Sequence, residues 1–111
     1  MGRSDLIAAF QDTLMMSLSP ALKGATEQAS QSSRVYLENF HSDKMRKNVS
    51  GSVIVEENTT FAAAKKYMKK GKTAVLNFAN PVTPGGGAQN GAVAQEECLC
   101  RSSNLYACLT S

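Results

Sequence analysis

Three consecutive glycines followed by two adjacent carboxylates form the part of this chain best equipped for chemistry. The stretch runs Asn80-Pro-Val-Thr-Pro-Gly85-Gly86-Gly87, then residues 88–94, then Gln95-Glu96-Glu97. Glycines lack a Cβ, so their backbone can approach a ligand closely. Free N–H groups in such a loop can cradle phosphate oxygens. A helix starting beside the loop favours negative charge at its N-terminus. Glu96 and Glu97 project about 100° apart if they sit on that helix. This angle argues against a symmetric pair acting on one atom. It favours a division of labour, one carboxylate holding substrate and the other transferring a proton. Glutamates also favour the first turn of any helix through its dipole, so the residues alone leave a purely structural role open.

The elements that position this loop can be read from periodicity. Leu6, Ile7, Phe10, Leu14 and Leu18 recur at helical spacing and predict a helix over residues 5–16, with Ser4 as N-cap. Ser19-Pro20 ends it, and residues 22–33 read as either a weak helix or an ordered loop. Short strands are predicted at 35–37 and 53–55, separated by a polar, basic loop over 41–50. Thr59 or Thr60 caps a helix over 61–70, which Gly71 stops. The apolar run at 73–78 predicts a strand covered on both faces. From Ala92 the pattern turns helical again, with Val93, Leu99, Tyr106 and Leu109 inward. Alternating helices and strands predict α/β layering with parallel pairing. In α/β folds ligands bind at the carboxyl ends of the strands, where the glycine loop would lie.

Composition narrows the class. A chain of 111 residues suggests a single domain, and its 42% hydrophobic and 19% charged residues fit a globular protein. No apolar run approaches the roughly 20 residues of a membrane span, and Asp12 interrupts the first apolar stretch, so no signal peptide is expected. The net charge of +3 permits a phosphate-bearing ligand without requiring one. Cys98, Cys100 and Cys108 are odd in number and clustered, which predicts free thiols in a reducing, cytoplasmic setting. No fourth ligand is near them, and the lone His41 is distant, so no metal and no cofactor is expected. His41 reads as a solvated residue. The sequons at Asn48 and Asn58 read as chance matches.

The stretch over residues 75–101 resembles the signature of the poly(ADP-ribose) glycohydrolase (PARG) family, in its bacterial or microbial-type branch. That signature is GGG, six to eight residues, then QEE; here seven residues separate Gly87 from Gln95. The flanks Leu76-Asn-Phe-Ala and Cys98-Leu-Cys-Arg101, with Leu105-Tyr106, match as well. The resemblance implies a macro-domain-like three-layer α/β fold with a mixed sheet between helices. It implies hydrolysis of the ribose–ribose O-glycosidic bonds of poly(ADP-ribose), on free polymer or on ADP-ribosylated proteins. It makes Glu97 the catalytic acid and Glu96 a holder of ribose hydroxyls. Gly85, Gly86 and Gly87 would lie against the diphosphate or distal ribose, and Asn80 and Gln95 would complete the substrate-binding set. Ordinary glycosidases use two carboxylates; this family uses one in both roles.

Complete members of the family continue through further strands and helices. The resemblance therefore implies that residues 1–111 are a single partial macro domain whose C-terminal part is absent. Its open sheet edge would invite a homo-oligomer or a complementing chain. The competing functions are a non-catalytic ADP-ribose-binding module or inactive fragment, and a nucleic-acid-binding module using Lys65, Lys66, Lys69, Lys70 and Lys72. A solvated lysine face is the better reading of those residues, since no aromatic residues interleave as stacking platforms.

Overall fold

A computed structural model describes residues 1–37 and 50–111. Among them are five α-helices and one 3₁₀ turn at Ala88–Asn90. The helices are α1 (Arg3–Ser17), α2 (Lys23–Gln31), α3 (Thr60–Tyr67), α4 (Gln95–Arg101) and α5 (Leu105–Leu109). His41, Asn48 and most of the predicted loop over 41–50 lie outside the described residues.

The first helix starts two residues earlier than its periodicity suggests. Gly2 rather than Ser4 is the N-cap, and its amide donates to Asp5 Oδ2 at 2.8 Å. The Asp5 carboxylate thus satisfies one donor that the helix leaves unpaired. Phe10, 3% exposed, is the centre of the core, against Ala88 and Cys100, with Leu14, Leu105 and Tyr106 around it. Its ring meets that of Tyr106 edge to face, centroids 4.9 Å apart, an arrangement worth about 0.5–1.5 kcal/mol beyond area burial. Leu18, at the end of the apolar spacing, is the C-cap of α1 and is exposed.

Residues 22–33, left open by sequence, contain α2. It is tied down by polar contacts. The buried Thr26 hydroxyl donates to Ser17 O at 2.8 Å and accepts from Asn104 Nδ2 at 3.4 Å. Across the core, Thr13 Oγ1 donates to Arg101 O at 2.6 Å, joining α1 to the end of α4. The 3₁₀ turn packs on the start of α1, where Arg3 Nε donates to Asn90 O at 2.7 Å.

The predicted α/β architecture is not observed. No strand or sheet forms among the described residues, so there is no mixed sheet between helices. The β-branched residues Val53 and Val55 are each 93% exposed, and Leu76 and Phe78 are also exposed. Strand propensity reports how well side chains fit a paired, half-buried surface. Without a neighbouring strand, the runs at 35–37, 53–55 and 73–78 have no ladder to join. Val93 and Leu109 are exposed as well, against expectation. Val93 precedes α4, so its helical phase does not apply.

Helix α3 has Thr59 as N-cap, its hydroxyl accepting from Ala62 N at 3.3 Å, and it runs Thr60–Tyr67, ending short of the predicted stop at Gly71. Its lysines are partly engaged. Lys66 Nζ sits 2.8 Å from Glu56 Oε2 and 5.2 Å from the centroid of the Tyr67 ring, and Lys70 Nζ lies 5.9 Å from the same ring. The hydrogen bond from Lys66 holds the Glu56 carboxyl below its usual range, and Glu56 in turn raises Lys66. Among the described residues no helix is long and apolar enough to cross a membrane.

Candidate active site

The first turn of α4 grips the segment that precedes it. Gln95, Glu96 and Glu97 each accept backbone N–H groups from residues 78–87. Gln95 Oε1 takes Phe78 N at 2.9 Å, while Gln95 Nε2 donates to Leu76 O at 2.8 Å. Glu96 Oε2 takes Asn80 N at 2.6 Å, and Glu96 Oε1 takes Gly85 N at 2.9 Å. Glu97 Oε1 takes Gly87 N at 3.0 Å. Asn80 tightens the loop from within, its Oδ1 accepting from Val82 N at 2.9 Å and Thr83 N at 2.8 Å.

The two glutamates are both buried, Glu96 at 3% exposure and Glu97 at 8%. They differ in what remains unpaired. Both oxygens of Glu96 are engaged by the loop. Glu97 has one oxygen engaged, and its Oε2 is buried with no hydrogen-bond partner among the described residues. A buried carboxylate oxygen without a partner carries a desolvation cost that a folded chain rarely keeps. The same helical turn therefore makes one carboxylate a loop organiser and leaves the other with one buried oxygen unpaired.

The glycines are needed for this arrangement. Gly86 adopts φ +56°, and a Cβ there would stand 2.5 Å from Glu97 Oε1. A Cβ on Gly85 would stand 2.6 Å from the Tyr106 ring, which closes the loop from below. The close approach permitted by the missing side chains is thus made, first of all, to the protein itself. All three glycine amides have protein acceptors: Gly85 and Gly87 on the glutamates, and Gly86 on Thr83 O at 3.0 Å.

Cys100 lies beneath the loop at 1% exposure. Burial, followed by the charges of Glu96 and Glu97, pushes its thiol up to about 11. A thiol held protonated is a poor nucleophile. In the native protein at pH 8, iodoacetamide is expected to modify the exposed Cys98 and spare Cys100. Peptide mass spectrometry before and after denaturation checks this, and prompt Cys100 labelling in the native state would contradict the packing.

Sequence reasoning placed Glu96, Glu97, Gln95, Asn80 and the three glycines at one site, and the structure brings all seven together. In the segment that Gln95 grips, Asn77 was not singled out from sequence, and its Oδ1 is buried with no hydrogen-bond partner among the described residues. The available signal was a polar residue interrupting the apolar run of 74–78. Two grooves of about 510 Å³ and about 310 Å³ flank α3; the second is also lined by Leu76, Phe78 and Gln95, and neither is lined by the glycine triplet. Among the described residues, no three His, Cys, Asp or Glu side chains gather as a metal ion would need.

Comparison with known families gives a match over residues 9–111 to the model described as microbial-type PARG, catalytic domain. No curated protein and no solved structure matches the chain.

Proposed function

The chain belongs to the microbial-type PARG catalytic domain family, and from that premise we propose that it hydrolyses the ribose–ribose O-glycosidic bonds of poly(ADP-ribose). Membership supports a glycosidase-type hydrolase with poly(ADP-ribose) as substrate. The observation that carries the assignment of roles is the buried, unpartnered Oε2 of Glu97 beside a fully engaged Glu96.

In this reading Glu97 is the general acid and base. The protonated carboxyl gives its proton to the leaving ribose oxygen as the C1″–O bond breaks. The resulting carboxylate then takes a proton from the water that adds to C1″, which restores the starting state. Oε1 stays on the Gly87 amide throughout, so Oε2, buried in this structure, is the oxygen that an arriving substrate must uncover. Positioning of this kind contributes typically ~10²–10⁴-fold. Glu96 keeps the loop closed, and its remaining lone pairs can accept ribose hydroxyls. Asn80 has its Oδ1 committed to the loop, which leaves its Nδ2 for ribose. Gly85, Gly86 and Gly87 offer a surface without side chains against the diphosphate or distal ribose.

Release of free ADP-ribose from poly(ADP-ribosyl)ated protein, followed by chromatography, tests the proposal directly. Release is the expected result. ADP-ribose binding by calorimetry without release would make the chain a non-catalytic binding module, and neither release nor binding would sink the reading.

A further inference from the structure

Gln95 was expected to touch substrate, yet both ends of its side-chain amide are already used. Nε2 donates to Leu76 O at 2.8 Å and Oε1 accepts from Phe78 N at 2.9 Å. This is the pair of bonds that one residue of a parallel strand makes to the residues on either side of its neighbour. A single side chain thus performs, for residue 77, the pairing that no strand among the described residues supplies. The same Nε2 lies 3.4 Å from Thr60 Oγ1 at the start of α3.

The next contacts follow in order along the chain. Phe78 N goes to Gln95, Asn80 N and Gly85 N go to Glu96, and Gly87 N goes to Glu97. Register matters, because a slip of one residue would offer a different set of amides to the two glutamates. Gln95 is the first clasp, and it sets where the segment enters.

We propose that Gln95 is a positioning residue, a side-chain substitute for a strand neighbour that fixes the register of residues 76–87 against α4 and so orients Glu97. Its function in catalysis rests on the glycohydrolase reading, but its positioning role does not. Gln95 acts through the loop and not on the substrate.

Hydrogen exchange of the intact chain, read at single amides by NMR, separates the possibilities. Gln95→Ala removes both bonds. Gln95→Glu keeps an acceptor for Phe78 and places an oxygen against Leu76 O, and it guards against a gross folding failure. In both variants exchange at Phe78, Asn80, Gly85 and Gly87 is expected to quicken about tenfold or more, the effect of losing one or two hydrogen bonds. Amides of α1 and α2 should be unchanged. If the protein turns over poly(ADP-ribose), kcat should fall more than KM rises. Unchanged exchange at Asn80, Gly85 and Gly87 in Gln95→Ala would overturn the proposal, as would equal acceleration throughout α1. Weaker ADP-ribose binding with unaltered loop exchange would instead make Gln95 a ligand contact. Absence of any turnover would count against the glycohydrolase reading alone, since the exchange pattern stands without it.

Discussion

Glu97→Gln is expected to lower ADP-ribose release by on the order of 10²–10⁴-fold, the usual range for a positioned general acid–base, with little change in stability. The reason is local. The glutamine keeps an oxygen for the Gly87 amide, so the existing bond survives. Its NH₂ replaces the unpartnered Oε2, and an amide cannot deliver or take the proton. The matched change at the neighbouring position should lower stability as well. Glu96→Gln sets an NH₂ against the amide of either Asn80 or Gly85, two donors facing each other in a buried place. Leaving such a group unsatisfied costs about 1–3 kcal/mol. Urea unfolding of both variants beside the release assay distinguishes the roles. A Glu97→Gln protein that releases ADP-ribose at the native rate would refute the assignment of Glu97.

Gly86→Ala should be nearly as damaging, for a steric reason. The residue has φ +56°, where a Cβ costs about 1–2 kcal/mol. The new methyl would also stand 2.5 Å from Glu97 Oε1 and 3.3 Å from its Cδ. The carboxylate has no easy retreat, because moving away breaks its bond to Gly87 N. Displacing a reacting group by about 1 Å can cost on the order of 10²-fold in rate, and a similar loss is expected here. Gly24→Ala is the control. That glycine lies in α2 with nothing within 4 Å of the added Cβ, so the substitution should be neutral or stabilise by about 0.5–1 kcal/mol. Full activity in Gly86→Ala would mean that Glu97 does not work from the position seen in this structure.

The glycine triplet, the carboxylates and their spacing were legible because they are local. Their residue types restrict what a backbone can do over a dozen positions, whatever lies around them. The helices α1 and α3 were legible for the same reason, α1 through its own periodicity and α3 through a threonine cap at its start. Phe10 as a core residue followed from that periodicity. The strands were misread because a strand is not a local object. The run at 73–78 has the composition of a buried strand, but its residues are mostly exposed and its backbone pairs with the side chain of Gln95.

The division of labour between Glu96 and Glu97 shows where sequence stops. That two adjacent glutamates on a helix would differ was determined by the turn angle alone. Which atoms would be consumed depended on the path of residues 78–87, seventeen or fewer positions away in sequence, folded back across the first turn of α4. The sequence by itself determined the chemical parts, their helix and the absence of side chains facing them. The tertiary structure decided that the glycine amides would serve the glutamates, that Gln95 would stand in for a strand, and that one carboxylate oxygen would be left without a partner. Hydrogen-bond partners are assigned by through-space geometry, and a buried donor takes whichever acceptor the packed chain brings within reach.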